Sequence, residues 1–267
     1  KADIGIAMGI AGTEVSKNAA DIILTDDSFG TIVKGIKWGR GIYENFQRFI
    51  QFQITVNIIA FLTAILSVLL DFEMPFTTIQ LLWVNIIMDG PPALSLGLEP
   101  VRDAVLNRKP INRNASIITK QMITSMILNA MYITAVILIQ MKFNPLGAEV
   151  PPQGHKGPSE METVLFALFA FSSLFNAFNC REFGTNSIFP NLTHNKIFLQ
   201  IVSLTALVQI FVTNVFSGFF NAVALSPIMW IKVIAASALI IVVNEIVKLV
   251  LRMFKKESIN APNDIAV

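Results

Sequence analysis

Cysteine occurs once in the 267 residues, at Cys180. That excludes an internal disulfide framework and any multi-cysteine metal site. Charge is scarce too: 14% of residues are Asp, Glu, Lys or Arg, against about 25% in soluble domains. The formal net charge is only +2, and no arginine-rich patch interleaved with aromatics occurs, so nucleic acid is not expected as a partner. No signal peptide opens the chain. Position 1 is Lys1 rather than Met, which predicts a start inside a domain, as the C-terminal fragment of something larger. No serine, cysteine or paired-carboxylate constellation points to hydrolytic chemistry within these residues.

What the chain has in quantity is hydrocarbon. Hydrophobic residues make up 54%, with 21 phenylalanines, and the mean hydropathy is +0.62. The phenylalanines read as lipid-facing and packing residues. Six apolar runs lie near the ~20 residues that a bilayer requires, over about 49–70, 76–97, 117–142, 161–180, 197–220 and 229–252. The predicted class is a mainly α, polytopic membrane protein with a six-helix bundle over 49–256 and a short tail over 257–267. Lys and Arg gather in alternate connections: Arg102, Arg108, Lys109 and Arg113; Arg181 and Lys196; Lys248, Arg252, Lys255 and Lys256. Residues 71–75 and 221–228 have none, and 143–160 has Lys156 alone. Positive-inside bias then places residues 1–48, both basic loops and the C-terminus in the cytoplasm. On that orientation the sequons at Asn114 and Asn191 are cytoplasmic and unused, and Cys180 is a reduced thiol. His155, alone in the one sizeable extracytoplasmic loop, reads as a solvated residue.

Residues 1–30 differ from the rest. Ile4–Met8 and Ile22–Leu24 read as strands, and Thr13 as the cap of a helix from Glu14 to about Ala20. Strand, helix, strand is the tail of an α/β domain, and a parallel pair of this kind is expected to be buried. Gly5, Gly9 and Gly12 do not fit G-x-G-x-x-G, so a phosphate loop is a weak reading. From Ser28 onward, Phe29, Ile32, Val33 and Ile36 follow a helical period, and no proline occurs before Pro75. One long helix is predicted to run through a stalk at 31–48 into the first apolar run. The competing form is a soluble helix, a break and a separate span.

The chemistry concentrates in LLWVNIIMDGPPALSLGLEP, residues 81–100. Asn85 and Asp89 stand four apart, on one helix face. An acidic residue at membrane depth costs roughly 2.5–3.5 kcal/mol on insertion scales and marks an ion or substrate site by default. Pro91 and Pro92 lack N–H groups, so the carbonyls of Ile87 and Met88 lose their helical partners. Freed carbonyls beside a carboxylate and an amide suit a hard cation. The alternative is a proline kink with one polar residue facing a neighbouring helix. Asn57, near Gln53 and Thr55 in the first run, is expected at similar depth, so that Asn57, Asn85 and Asp89 converge; interhelical hydrogen bonding by the amides is the competing reading. Ser172, Ser173, Asn176 and Asn179 face either the bundle interior or a packing neighbour, and Asn214 is a weaker candidate. Glu245 and Lys248 read as a pair near an interface, and Lys232 as snorkelling to the opposite face.

Three blocks, KADIGIAMGIAGTEVSKNAADIIL, GRGIYENFQRFIQFQITVN and LLWVNIIMDGPPALSLGLEP, resemble the C-terminal third of P-type ATPases, specifically type II calcium pumps. The resemblance covers nearly the whole chain. It implies that residues 1–30 end a Rossmann-like, haloacid-dehalogenase-type phosphorylation domain and that the six runs are the fifth to tenth of ten membrane helices. It implies an ATP-driven phosphoenzyme cycle that moves calcium out of the cytoplasm, with protons as counter-ions, in which ATP and magnesium bind upstream. The family's D-K-T-G and G-D-G-x-N-D motifs do not occur here, so this fragment is not expected to hydrolyse ATP alone.

Carried over by position, Asn57, Asn85 and Asp89 match calcium ligands, and a fourth-helix glutamate outside this sequence completes the set. Two-site pumps have a glutamate where this chain has Ala60, an eighth-helix glutamate near Ser172 and Ser173, and a threonine at Met88. The resemblance therefore implies one calcium per cycle, as in plasma-membrane and secretory-pathway pumps. MDGPPALSLG and FNAFNCR resemble the secretory or bacterial type; NRKPINRNASIITKQM resembles the plasma-membrane type. The membrane is accordingly the plasma membrane or an endomembrane. Calmodulin regulation through a long C-terminal tail is not expected. Competing readings are a pump for manganese, sodium, potassium or protons, and a non-catalytic fragment that only binds partners.

Overall fold

The computed structural model describes residues 4–112, 114–151 and 157–260, with side chains as far as Met253. Lys1, Arg113, His155, Lys156, the side chains of Lys255 and Lys256, and the tail beyond Asn260 lie outside the described residues. In order, the elements are β1 (Ile6–Met8), α1 (Glu14–Asn18), β2 (Ile22–Leu24), α2 (Phe29–Leu69), α3 (Thr78–Trp83), a π-helical turn (Val84–Met88), α4 (Gly90–Leu96), α5 (Lys120–Phe143), α6 (Glu160–Cys180), α7 (Lys196–Val215) and α8 (Pro227–Asn260), with short 3₁₀ turns at Asp103–Asn107 and Phe189–Asn191. The described residues up to Glu44, with Pro100–Ala115, form one unit; Asn45–Glu99 and the chain from Ser116 onward form a second.

In the first unit β1 and β2 pair in parallel, with Ile6 opposite Ile22 and Met8 opposite Leu24. Thr13 caps α1 as its position predicts, its hydroxyl accepting from Ser16 N at 3.2 Å. The glycines are steric. A Cβ on Gly12 would stand 2.0 Å from Met8 O and one on Gly9 2.6 Å from Leu24 O, so the backbone passes too close for any side chain. The expected burial of the pair is corrected. Only Ala7 and Leu24 are buried, whereas Ile6, Ile22 and Ile23 are 44–47% exposed, because the described elements, with the short α1 against β1, leave much of the two strands uncovered.

Asp27 closes this unit in a way its sequence position did not reveal. At φ +48° it turns its carboxylate to accept from Ile10 N (2.9 Å) and Ala11 N (2.7 Å). These two amides, the larger contribution coming from Ile10, hold its carboxyl below the ordinary carboxylate value. A pKa depressed on folding contributes stability above the unfolded value of about 3.9 and loses it as pH falls through the lower folded value. Amide protection across Ile22–Leu24 is therefore expected to drop below about pH 4 in the native protein. In Asp27→Asn it is expected to be lower at neutral pH and to lack that step, as hydrogen exchange would show.

The basic loop 98–116 is more than a topological marker. Arg40 donates to the carbonyls of Val105, Leu106 and Arg108, Lys37 pairs with Asp103 at 2.5 Å, and Arg108 pairs with Glu44. Gly41 lets Val101 lie against the helix, since a Cβ there would come within 2.2 Å of it.

The second unit is built on α6. Apolar almost all round, it is the most buried of the long helices, as such a pattern requires. One side of α6, with Phe166, Phe169, Ala170 and Leu174, packs into a core with Phe52, Val56, Met88, Ala93, Ile133 and Phe198. Another, with Val164, Ala167, Leu168 and Phe171, meets Met229, Trp230 and Val233. Among the described residues five helices are long and apolar enough to cross a membrane: α2, α5, α6, α7 and α8 through Met253. The predicted uninterrupted helix is present as α2. The run at 76–97 is not a single long helix. It is divided into α3, the π turn and α4.

Candidate functional site

The interruption follows from the residues. Thr77 and Gln80 form a capping box that starts α3. Seven residues beyond Val84 comes Pro91, whose missing N–H prevents the normal ladder from continuing. The chain instead widens by one residue, and Asp89 N donates to Val84 O at 2.9 Å, an i→i−5 bond. Asp89 ends the π turn, and α4 starts at Gly90 with both prolines in its first turn. The partial release of carbonyls inferred from Pro91 and Pro92 thus takes the form of a π turn at the carboxylate.

Side chains fix this broken segment on both sides. Gln80 Nε2 donates to Phe220 O at 2.9 Å, and Trp83 Nε1 to Gln209 Oε1 at 2.7 Å, with Gln209 in turn donating to Thr213. At the end of α4 the chain is held by Glu99. Its carboxylate receives Arg181 Nη2 at 2.8 Å and Asn195 Nδ2 at 2.9 Å. Arg181 also donates to Asn191 O and Leu192 O, both at 2.8 Å, and both members of the ion pair have only 2% of their side chain exposed. Asn45 donates to Gly97 O and Glu99 O, and Arg48 to Asn45 and Arg181 O. Neither Glu99 nor Asn195 stood out in the sequence, because partners 82 and 96 residues apart leave no periodic trace.

Between these anchors Asp89 is fully buried, and both carboxylate oxygens lack a hydrogen-bond partner. A buried carboxylate without a donor is a costly arrangement that calls for a cation or a proton. α6 packs against both the π turn and α4. It carries three more buried acceptors without partners, Ser173 Oγ and Asn176 Oδ1 among them. Asn179 Oδ1 is likewise unpartnered, while its Nδ2 donates to Ile240 O at 3.5 Å. Asn57 and Asn85 are placed differently: both are exposed on the described surface, and Asn57 Nδ2 donates to Gln53 O within its own helix. Ala60 is packed partly against the core and Met88 lies wholly within it. Asn214 has a local structural role, accepting from Leu225 N and Trp230 Nε1. Lys248 pairs with Glu245 at 3.0 Å, as their spacing predicts. Among the described residues no group of three His, Cys, Asp or Glu side chains is placed to hold a metal, so these residues would offer a cation one carboxylate and neutral oxygens.

A profile of the family described as "Cation transporting ATPase, C-terminus" matches residues 73–250. The chain is 35% identical over 256 residues to the probable calcium-transporting ATPase 6, plasma membrane-type, of Oryza sativa subsp. japonica, covering 96% of this chain and 25% of that protein. It is 38% identical over 241 residues to the calcium-transporting ATPase 10, plasma membrane-type, of Arabidopsis thaliana, covering 90% and 22%. It is 38% identical over 236 residues to the human plasma membrane calcium-transporting ATPase 4, covering 86% and 19%. The chain spans about a quarter or less of the length of these relatives. With its five long apolar helices, the likeness makes it part of an integral membrane protein.

Proposed function

The chain belongs to the cation-transporting ATPases, within their C-terminal membrane region, and on that premise we propose that it forms the ion-carrying and structural membrane part of an ATP-driven calcium pump. The observation that carries the reading is Asp89: a fully buried carboxylate with two unpartnered oxygens, set at a π turn in a broken helix. Calcium takes oxygen ligands from carboxylates, amides and carbonyls in flexible sets. Asp89 would supply the charge, Asn85 and Asn57 amide oxygens, and the proline-freed carbonyls of Ile87 and Met88 the neutral remainder. Asn57 and Asn85, exposed on these residues alone, would be enclosed by a further helix of the full-length protein, which would also bring a carboxylate. When calcium leaves, a proton on Asp89 would relieve the buried charge, which makes protons the natural counter-ions. Ala60 offers hydrocarbon where a second carboxylate would stand, in favour of one calcium per cycle.

The segment 76–97 would be a sixth span, broken at its site. Hydrogen bonding within α3, the π turn and α4, and burial against α6 and α7, make such a break tolerable at membrane depth. The half-exposed strands β1 and β2 would sit at the edge of a Rossmann-like phosphorylation domain, whose further strands would pair with them and whose helices would cover their faces. ATP and magnesium chemistry would belong to that domain, since D-K-T-G does not occur in these residues. The first unit and the Lys/Arg-rich ends of the helices would face the cytoplasm, in a plasma membrane or an endomembrane.

The test is phosphoenzyme formation from ATP by the full-length protein, titrated with single cations. Calcium at low concentration is expected to drive it, with manganese as the nearest substitute. Dependence on sodium or potassium, or no phosphoenzyme at all, would contradict the reading.

A further inference from the structure

The face that α6 turns toward Asp89 carries more than hydrocarbon. Phe169, Ser173, Asn176 and Cys180 stand at i, i+4, i+7 and i+11, so they share one stripe of the helix. Contacts at its two ends show where the stripe points. The Phe169 ring stacks on that of Phe76, just ahead of α3, with centroids 4.8 Å apart. Cys180 Sγ accepts from Gln51 Nε2 of α2 at 3.9 Å. The stripe therefore looks into the space between the broken segment and α2. Asn179, by contrast, donates to Ile240 O of α8 and belongs to another side of the helix. The same contacts give the depth. Phe76 meets Phe169 at one end and Glu99 meets Arg181 at the other, so α6 runs alongside the broken segment in the same direction. Asp89 falls just past the midpoint between Phe76 and Glu99, and Asn176 just past the midpoint between Phe169 and Arg181. The π turn packs directly against α6, which sets Asn176 and Asp89 at one level, with Ser173 one turn before.

Asn176 and Ser173 are fully buried. Asn176 directs its Nδ2 to Cys180 Sγ within its own helix, at 3.9 Å, and leaves Oδ1 without a partner. Ser173 Oγ is unpartnered as well, and so are both oxygens of Asp89. An amide oxygen, a hydroxyl oxygen and a carboxylate thus gather near one depth, with no donor to them among the described residues. A cation satisfies such a set at once. The amide oxygen also bears on which cation is held. Calcium accepts about 6–8 oxygens in flexible sets, whereas manganese suits an octahedral set of about six. A neutral oxygen from α6, beyond those of the π turn and α2, favours the larger ion and adds no charge that would slow its release.

We propose that Asn176 is a specificity-determining residue of the ion site, its side-chain carbonyl oxygen adding to the shell of the ion held at Asp89 and favouring calcium over manganese. The inference rests on the reading of Asp89 as an ion ligand, and the experiment separates the two claims. Phosphoenzyme formation from ATP by the full-length protein is titrated with calcium and, separately, with manganese, in the native protein and in Asn176→Leu, Asn176→Asp and Asp89→Asn. Asn176→Leu keeps the approximate size of the side chain and removes an oxygen that has no partner to lose, so thermal stability is expected to hold. It is expected to raise the calcium requirement about tenfold or more and the manganese requirement by less than about threefold. Asn176→Asp, which keeps an oxygen in place, is expected to need no more calcium than the native protein. Equal shifts for the two ions, or a loss in Asn176→Asp as large as in Asn176→Leu, assign the effect to packing and overturn the role of Asn176. No shift for either ion in Asn176→Leu, while Asp89→Asn raises the calcium requirement, overturns that role alone and leaves an amide that only water solvates. An unchanged calcium requirement in Asp89→Asn overturns the reading of Asp89 on which the inference rests.

Discussion

Asp89→Asn in the full-length protein is expected to raise the calcium required for phosphoenzyme formation by roughly 100-fold or more, because calcium affinity is tuned over orders of magnitude by the number of ligand charges. The same substitution is expected to leave the protein equally or more stable, by up to about 3 kcal/mol, since it removes an uncompensated charge from a buried position and keeps the shape of the side chain. The two effects have opposite signs, which separates a ligand from a packing residue. If Asp89 merely accompanied a proline kink, calcium dependence would be unchanged. Calcium-dependent phosphorylation and thermal unfolding, measured on the same preparation, give both readouts. Asp89→Ala would confuse them, because it also opens a cavity beside Met88 and Val84, which are buried in the same turn.

The second large effect concerns the anchor at the other end of the broken segment. Glu99→Gln or Arg181→Met alone is expected to destabilise the membrane unit by about 3–5 kcal/mol, as breaking one member of a buried ion pair does. Glu99 accepts from Arg181 and Asn195. Removing its charge leaves the guanidinium without its counter-charge in a site that water does not reach. Arg181→Met additionally strips the donors from Asn191 O and Leu192 O. The double variant is expected to lose less than the sum of the two, so a double-mutant cycle on thermal stability should show a coupling of at least about 1 kcal/mol. Strict additivity would mean that the pair does not hold the end of α4 in place.

Much of the architecture was legible because it is written in local pattern. The apolar period from Phe29, with no proline before Pro75, anticipates α2. The Pro91–Pro92 pair after an acidic residue anticipates a break at the carboxylate, although only the structure shows it as a π turn. Thr13 and the two short apolar runs give a parallel strand–helix–strand unit. What stayed hidden depends on distant partners. The loop after Glu99 reads as a basic topological marker, yet Arg40 and Lys37 bind it to α2. Glu99 looks like the polar end of a span until Arg181 and Asn195 reach it. Gln51 looks like one more interfacial amide until its oxygen is found buried and unpartnered. The strands look buried by composition, but burial depends on what covers a face, and the described elements cover these only in part. At the candidate site the sequence singled out Asp89, Asn85 and Asn57. It could not show that only the first is enclosed by these residues, because exposure depends on the neighbouring elements and not on spacing.

The most direct test of the central claim is to count calcium in the trapped phosphoenzyme. The full-length protein is phosphorylated from ATP in radioactive calcium, and occluded ion is measured against incorporated phosphate. A single site centred on Asp89, with Ala60 in place of a second carboxylate, gives one calcium per phosphoenzyme in the native protein and, at the calcium concentration that just saturates the native protein, no occluded calcium in Asp89→Asn. Two calcium ions per phosphoenzyme, or an undiminished count in Asp89→Asn, would contradict it.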